Sequence, residues 1–270
     1  MLIGPRSPGS PPRSRRSRRL PELVSAFAVC WACGDATPRL DYEILTTFPH
    51  DTAAYTQGLL FHGGHLFESA GRYGVSNVRK VDVRTGRVVA SVAVDSMYFA
   101  EGLALVGSEL IQLTWKEGLA FVYDVETLEP IREHRYEGEG WGLCYDGASL
   151  YMSDGSSTLQ VRDPGSFEVT AEIPVKEAGR DLSLLNELEC VGDLIYANVF
   201  QSNRIVQIDK RSGRVVGEID GFQITLVAGA PRDPAAVLNG IAYIPETGVL
   251  LLTGKLWPKV LAVRLAERVP

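Results

Sequence analysis

Five side chains that can carry chemistry recur at one position of a repeated motif, directly before Gly-Leu or a close variant of that pair. They are Gln57, Glu101, Trp141, Asn186 and Asn239. A carboxylate can move protons, carboxamides can donate hydrogen bonds to developing negative charge, and an indole can form an apolar wall. If the five side chains converge, they predict a polar pocket with an aromatic wall. Otherwise each of them only hydrogen-bonds a neighbouring repeat or an axial water.

Four more residues at the ends of predicted strands could line the same pocket: Phe99, Trp115, Phe200 and Lys255. The aromatic rings would thicken the wall, and the lysine would add a cation. Taken singly, an aromatic residue at a strand end more often packs in the core than contacts a ligand. The prediction of a pocket therefore depends on the fold bringing these side chains together.

The histidines do not predict a metal site. His50, His62, His65 and His134 show no ligand spacing, and no CxxC motif occurs after residue 33. We therefore expect no metal ligand among them and place each histidine on the surface or in a turn.

Cys144 and Cys190 are the cysteines that lie beyond the N-terminal leader. They follow the first residue of their repeats by three and four residues, which puts them on opposite faces of their strands. This placement predicts two buried free thiols and no disulfide.

The five motifs recur at intervals of 44, 40, 45 and 53 residues, so the chain repeats one unit of about 45 residues. Each unit is predicted to contain a β-hairpin with a turn at Gly or Asp, a third strand such as residues 78–82, and a fourth strand. Four antiparallel strands per unit are typical of a propeller blade. The repeat therefore predicts an all-β fold, a β-propeller of five blades.

The fifth copy of the unit lacks one strand. It has room for three strands, at residues 240–245, 249–254 and 259–265. We expect residues 42–47, which precede the first copy, to supply the fourth strand, close the ring and remove two exposed sheet edges. Residues 40–270 would then form one domain, with the first positions of the repeats meeting at one end of its axis.

Residues 1–39 differ in composition from the remainder of the chain. Residues 1–20 are basic and contain no acid, and an apolar stretch follows from residue 23 to residue 33. This pattern is typical of an export signal, and the stretch is too short to span a bilayer. We therefore expect an extracytoplasmic protein, periplasmic or secreted, with Cys33 as a candidate for lipid anchoring. The alternative is a disordered basic tail on a cytosolic protein.

The charge of the chain argues against an anionic partner. Its net charge is −6, and residues 1–39 carry seven arginines against Glu22 and Asp35, which leaves a net charge of −11 for residues 40–270. Nucleic acid and anionic membrane surfaces are therefore not expected as partners. With 45% apolar residues the chain can fill a core of its own, and we expect a monomer.

Several ordered motifs surround the candidate residues: YTQGL at 55–59, ESAGRYG at 68–74, FAEGL at 99–103, LTW at 113–115, GWGL at 140–143, LNELE at 185–189 and LNGIA at 238–242. Together they resemble the plant-type glutaminyl-peptide cyclotransferases, which also occur in bacteria, over roughly residues 41–268. The resemblance implies a five-bladed propeller that converts the N-terminal glutamine of a peptide or protein to pyroglutamate and releases ammonia. It also implies an enzyme without catalytic zinc.

The resemblance further implies roles for individual residues. Glu101 is the acidic catalyst, and Asn186 and Lys255 are the other catalytic residues. The implied substrate-binding residues are Gln57, Phe99, Trp115, Trp141 and Phe200, and we add Asn239 because of its place in the repeat. The family commonly has tryptophan where this chain has Phe200, so we expect the smaller ring to change substrate affinity more than the type of reaction.

Two other functions fit the sequence. In a calcium-dependent lactonase-like propeller, Glu101, Asn186 and Asn239 would be oxygen ligands of a central cation. In a secreted binding propeller the same face would recognise a protein. For the cyclotransferase we expect a peptide or protein with N-terminal glutamine as the partner and no cofactor, apart from a structural calcium ion that the central channel could hold.

Overall fold

The computed structural model of the chain describes residues 1–4, 9 and 36–266. The chain divides into two compact units, Met1–Cys33 and Gly34–Pro270. Most of the predicted export signal, including its apolar stretch and Cys33, lies outside the described residues. The strands and the helix belong to the second unit.

In chain order the strands are β1 (Tyr42–Pro49), β2 (Thr56–His62), β3 (His65–Ala70), β4 (Asn77–Asp82), β5 (Val88–Ala93), β6 (Ala100–Val106), β7 (Glu109–Thr114), β8 (Leu119–Asp124), β9 (Pro130–Arg135), β10 (Leu143–Tyr145), β11 (Leu150–Met152), β12 (Thr158–Arg162), β13 (Val169–Pro174), β14 (Lys176–Glu177), β15 (Arg180–Asp181), β16 (Leu185–Val191), β17 (Leu194–Val199), β18 (Arg204–Asp209), β19 (Val215–Asp220), β20 (Leu238–Ile244), β21 (Val249–Gly254) and β22 (Lys259–Leu265). One helix, α1 (Phe222–Ala228), lies between β19 and β20.

Five four-stranded sheets form the blades of a β-propeller. In blades one to four the strands follow chain order, as β2–β5, β6–β9, β10–β13 and β16–β19, while β14 and β15 pair separately. All of these pairings are antiparallel. The prediction of an all-β fold with five blades is confirmed.

The N-terminal strand closes the ring. Blade five has the order β1-β22-β21-β20, so its outermost strand comes from the start of the domain and the other three come from its end. The register pairs Tyr42 with Leu265 and Thr47 with Leu261. The prediction that residues 42–47 complete the last blade is therefore confirmed.

The inner strand of each blade approaches its neighbour closely around the axis, which explains the glycine that follows the first position of most repeats. A Cβ atom on Gly58 would lie 2.5 Å from the backbone nitrogen of Leu103, and one on Gly102 would lie 2.6 Å from that of Leu143. Glu187 replaces this glycine in blade four and sends its side chain across the axis, where its carboxylate accepts a backbone hydrogen bond from Leu59 (3.2 Å). The motif is thus required for packing around the axis.

The helix accounts for the longest interval between repeats. It is inserted between blades four and five, and Ile224 and Ala228 on its inner face are fully buried in the core between these blades. It has seven residues, and no helix within the described part of the chain is long and apolar enough to cross a membrane.

A buried polar network fixes the end of β1 against blades one and five. His50 directs Nδ1 to the carbonyl oxygen of Trp257 (2.7 Å) and Nε2 to Glu68 (3.0 Å), and Arg79 bridges Glu68 and Asp51. Since both partners of the imidazole are acceptors, both ring nitrogens must carry protons. We call His50, Asp51, Glu68 and Arg79 the closure network. The expectation that every histidine lies on the surface or in a turn is wrong for His50, because closure of the ring buries it.

Cys144 and Cys190 form a disulfide, with 5.5 Å between their Cα atoms. The prediction of free thiols was therefore wrong. The two residues do lie on opposite faces of their strands, but adjacent blades turn opposite faces toward each other. Cys144 on β10 faces blade four and Cys190 on β16 faces blade three, where both pack in one apolar cluster. Opposite faces are therefore the arrangement that allows the bond.

Candidate active site

A cavity of about 220 Å³ opens where the inner strands begin. It is lined by Tyr55, Gln57, Phe99, Glu101, Trp115, Trp141, Asn186, Phe200 and Lys255. The structure thus brings together the predicted pocket residues except Asn239, and it adds Tyr55. These side chains come from all five blades or the segments that join them, so closure of the ring creates the pocket.

A local irregularity of the strands aims three of these side chains at the axis. The pairing register of β2 shifts between Thr56 and Gly58, around Gln57. Equivalent shifts surround Glu101 in β6 and Asn186 in β16. A β-bulge adds an unpaired residue and redirects its side chain. In these three blades the first position of the repeat therefore lies at a bulge, which gives its side chain access to the cavity.

Glu101 lies buried in the pocket, with 5% of its surface exposed. Its Oε1 accepts a hydrogen bond from Nε2 of Gln57 (2.9 Å). Burial is the main influence on the pKa of Glu101 and raises it well above its usual value, while Lys255 lowers it and Glu139 and Glu117 raise it further. A buried carboxyl group in a cleft whose pKa is raised above its usual value can act as a proton carrier.

Lys255 supplies a buried positive charge. Its Nζ lies 4.7 Å from the centre of the Tyr55 ring and 5.1 Å from the centre of the Phe200 ring, so both rings can stabilise the cation. Burial lowers the pKa of Lys255 to about 8, although Glu101 opposes this change. The pocket therefore holds an acid and a base whose pKa values have moved toward each other.

Asn186 contributes a carboxamide with free hydrogen-bonding capacity. It is 3% exposed, and its side-chain Oδ1 has no hydrogen-bond partner among the described residues. Its backbone is fixed, because the carbonyl oxygen accepts a hydrogen bond from Oγ of Ser153 (2.7 Å). A buried amide of this kind is available to a ligand.

Aromatic rings form two walls of the pocket. Phe99 packs edge-on against Trp115 at 5.7 Å between ring centres and against Tyr55 at 6.2 Å. On the other wall Trp141 packs edge-on against Phe200 at 5.5 Å. These geometries are favourable for aromatic pairs. The walls leave an apolar slot with the polar groups of Glu101, Asn186 and Lys255 inside it.

Asn239 lies behind the pocket instead of lining it. It is fully buried, and its Nδ2 donates hydrogen bonds to the backbone oxygen of Thr56 (2.9 Å) and to Oε1 of Gln57 (3.4 Å). Asn239 thereby orients Gln57, which in turn holds Glu101. Asn239 therefore hydrogen-bonds a neighbouring repeat, which is the structural alternative given above for the first position of each repeat.

The sequence reasoning missed two residues of the site. Tyr55 lines the cavity and lies two residues before Gln57, at the start of a motif that was itself noticed. Glu139 accepts hydrogen bonds from the indoles of Trp115 and Trp141. Its position two residues before Trp141 was a weak signal, because an acidic residue in a Gly-rich loop is usually solvated.

Within residues 36–266, no group of three or more His, Cys, Asp and Glu side chains is arranged to hold a metal ion. Of the three oxygen ligands suggested for a lactonase-like cation site, Glu101 and Asn186 line the cavity and Asn239 does not. A five-bladed propeller whose axial pocket joins a buried carboxyl group of raised pKa, a cation and an apolar slot is instead an enzyme suited to proton transfer on a small polar group.

The model of the glutamine cyclotransferase family matches residues 22–265. The chain belongs to this family. It is 42% identical over 231 residues to a glutaminyl-peptide cyclotransferase of Arabidopsis thaliana, covering 84% of this chain and 72% of that protein.

Solved structures agree with this assignment. The crystal structure of the Myxococcus xanthus glutaminyl cyclase superposes with a TM-score of 0.81 at 42% identity, covering 85% of this chain and 98% of that one. The WD40 repeats of RRP9 match with a TM-score of 0.51 at 9% identity, over 86% of this chain and 99% of that one, which reflects the propeller fold alone. The family assignment favours the cyclotransferase over the lactonase-like and binding alternatives.

Proposed function

We propose that the protein cyclises the N-terminal glutamine of peptides and proteins to pyroglutamate and releases ammonia. The observation that carries this proposal is the buried carboxyl group of Glu101, held by Gln57 and facing Lys255 inside an aromatic pocket. The family assignment gives independent support, since its characterised relative is a glutaminyl-peptide cyclotransferase.

The reaction forms one carbon–nitrogen bond and breaks another. The substrate's α-amino nitrogen attacks the carbon of its own γ-carboxamide and closes a five-membered ring. The attacking amine must lose a proton, and the departing nitrogen must gain one, because an amide anion is a very poor leaving group. We propose that Glu101 takes the first proton and delivers it to the leaving nitrogen, which departs as ammonia.

The electrostatics of the pocket suit this proton shuttle. General acid–base catalysis is most efficient when the pKa of the group lies near the working pH. Burial raises the pKa of Glu101 toward that range, and the charge of Lys255 limits the rise. The nucleophile belongs to the substrate, so no serine or cysteine has to be activated.

Asn186 and Lys255 are placed to stabilise the negative charge that attack creates on the γ-oxygen. Both are buried pocket residues, and the donors to the γ-oxygen would be Nδ2 of Asn186 and Nζ of Lys255. Preorganised donors of this kind typically contribute about 2.7–4 kcal/mol each to stabilising the transition state.

The aromatic walls would hold the glutamine side chain in the coiled form needed for ring closure. Phe99, Trp115 and Trp141 provide flat apolar surfaces around the polar groups. Correct positioning of two groups of one molecule can supply a large part of the acceleration. Phe200, where the family commonly has tryptophan, leaves one wall smaller.

We further propose that the reaction needs no zinc and no other cofactor, because side chains of the pocket can supply each proton transfer and charge contact. The test is ammonia release from the peptide Gln-Ala, with Asn-Ala as control, before and after treatment with a chelator. We expect release from Gln-Ala alone and no loss after chelation. If no ammonia is released from Gln-Ala, the activity is rejected. If the chelator abolishes ammonia release and zinc or calcium restores it, metal independence is rejected.

We propose an extracytoplasmic, monomeric protein. The disulfide between Cys144 and Cys190 supports this location, since such bonds persist in oxidising compartments. The ring is complete within one chain, which supports a monomer. Cell fractionation and sedimentation test the two statements: full-length protein in the cytosol or a stable dimer would reject them.

A further inference from the structure

Glu139 connects the two aromatic walls of the pocket. It lies in the loop between β9 and β10, and one of its oxygens, Oε2, accepts hydrogen bonds from the indole nitrogens of both Trp115 (2.7 Å) and Trp141 (3.0 Å). The other oxygen lies 3.7 Å from Nζ of Lys116. Burial opposes ionisation, but the two indoles and Lys116 hold the pKa of Glu139 below its usual value, so the acceptor is a carboxylate.

The two indoles that meet at this carboxylate come from different blades. Trp115 follows β7 in blade two, and Trp141 precedes β10 in blade three. Backbone hydrogen bonds fix their main chains, since Gly140 donates to the carbonyl oxygen of Trp115 (2.8 Å) and Trp141 donates to that of Ser153 (2.9 Å). The side-chain torsions of the indoles are restricted by edge-on packing against Phe99 and Phe200 and by the hydrogen bonds that both ring nitrogens donate to Glu139.

We propose that Glu139 is a positioning residue that sets the separation of Trp115 and Trp141, and thereby the width of the slot that receives the substrate's glutamine side chain. This inference rests on the proposed function, because it assigns Glu139 a part in binding the cyclised residue. A charge-assisted hydrogen bond is stronger than a neutral one, and a shared oxygen gives the two rings a common reference point. Lys116, whose Nζ lies 3.8 Å from the centre of the Trp115 ring, supports the same arrangement.

Glu139 also acts on Glu101 through its charge. Its negative charge raises the pKa of Glu101, as does that of Glu117, while Lys255 lowers it. The other titratable groups that interact with Glu101 are the phenols of Tyr55, Tyr73 and Tyr136. Glu117 bonds to the hydroxyl of Tyr73 (2.9 Å) and to neither indole, which makes it a matched control for charge without positioning.

The test compares the full-length variants Glu139→Ala, Glu139→Gln and Glu117→Gln with the unmutated protein. Glu139→Ala removes the acceptor and the charge, while Glu139→Gln keeps an acceptor oxygen and removes only the charge. Glu117→Gln removes a charge that also acts on Glu101. Each variant is assayed for kcat and KM on Gln-Ala across pH, and its tryptophan fluorescence is recorded without substrate. Circular dichroism checks that each one folds.

We expect Glu139→Ala to raise KM about tenfold with a smaller change in kcat, because two indole N–H groups lose a charged partner and the rings can turn. Its fluorescence maximum should move to longer wavelength as the indoles contact water. Glu139→Gln should keep KM within about twofold and keep the fluorescence, since an uncharged acceptor still supplies roughly a normal hydrogen bond. Both glutamine variants should move the acidic limb of the pH profile to lower pH, because each removes a charge that raises the pKa of Glu101.

Two results would overturn the proposal. One is a folded Glu139→Ala variant with unchanged KM and fluorescence, which would show that the indoles keep their places without Glu139. The other is an equal rise in KM in Glu139→Ala and Glu139→Gln. That result would show that the charge of Glu139, and not its acceptor oxygen, controls substrate binding. Because the fluorescence is measured without turnover, it tests the positioning role even if the unmutated protein releases no ammonia from Gln-Ala, an outcome that would instead reject the proposed function.

Discussion

Two buried carboxylates, Glu101 in the axial pocket and Glu68 in the closure network, reach opposite electrostatic states. Glu68 receives hydrogen bonds from His50 and from Arg79, and these charged partners outweigh burial and lower its pKa to about 2. Glu101 receives a hydrogen bond from the neutral amide of Gln57, and burial raises its pKa well above its usual value. Both side chains are buried, but their partners differ.

The comparison separates a structural carboxylate from a functional one. Where each charge is matched by an ion pair and hydrogen bonds, the group stays ionised and holds elements of the fold together. Where burial is only partly matched, the group is held near a protonation change and can exchange protons with a substrate. Partners, rather than depth of burial, therefore decide whether the pKa of each of these two carboxyl groups is lowered or raised.

The sharpest test of this difference is Glu101→Gln. It keeps the shape of the side chain and removes the proton carrier, so kcat on Gln-peptides should fall by about 10²–10⁴-fold. The fold should be at least as stable as before at pH 7–8, because a carboxyl group whose folded pKa is raised loses stability as pH rises. Steady-state kinetics and thermal melts measure both effects. Wild-type turnover in the folded variant would reject the role of Glu101.

Glu68→Gln should give the reverse result. It leaves His50 and Arg79 without their shared anion, and breaking a buried ion pair typically costs about 3–5 kcal/mol. Urea unfolding should show this loss, while kcat of the folded fraction should stay near normal. In the unmutated protein the stability supplied by Glu68 should be present above pH 4.5 and disappear as pH falls toward 2, since its pKa is lowered from 4.5 to about 2. An unchanged unfolding midpoint would contradict the comparison.

The disulfide between Cys144 and Cys190, like Glu68, stabilises the fold and lies outside the pocket. Replacing Cys144 and Cys190 by serine should destabilise the domain by about 2–4 kcal/mol, because the bond closes a long loop in the unfolded chain. Reductant should destabilise the unmutated protein by a similar amount and leave the double variant unaffected. A reductant effect on the double variant would mean that the bond is not the cause.

Lys255→Met tests the electrostatic balance of the pocket. Loss of the charge that lowers the pKa of Glu101 should move the acidic limb of the kcat/KM profile to higher pH. Lys259→Met, which removes a half-buried lysine of the same blade that donates to the carbonyl oxygen of Val227 (2.9 Å), should leave the profile unchanged. A shift to lower pH in Lys255→Met would show that the lysine does not act on Glu101.

The smallest expected effect comes from Phe200→Trp. The larger ring would extend the wall opposite Trp115 and gain contact with Trp141, so KM should fall by up to about tenfold or stay unchanged. The kcat value should change little, because the ring touches neither moving proton. A rise in KM would indicate that the pocket is built around the smaller side chain.

The fold could be predicted from local pattern because each blade is built from neighbours in sequence. The intervals between Gln57, Glu101 and the later motifs gave the number of blades, and the strand missing from the fifth copy located the closing strand. The site could be predicted because the first position recurs at a fixed place in each unit, and four of its five side chains line the cavity. Asn239 occupies the first position of its repeat without lining the cavity, so this position alone does not place a side chain in the site.

Contacts between blades could not be predicted in the same way. The disulfide required knowing which faces of β10 and β16 oppose each other, and the burial of His50 required the ring to be closed. In the sequence Glu139 cannot be distinguished from a surface residue. Its hydrogen bonds to Trp115 and Trp141 depend on how blades two and three pack together.

The sequence by itself determined five repeats of four strands and the chemical groups at the start of each one, since both depend on residues close together in the chain. Only the tertiary structure decided which of these groups meet and in what protonation state. The reason is that the pKa of Glu101 depends on water excluded by all five blades together, and on the charge of Lys255, which lies 154 residues further along the chain.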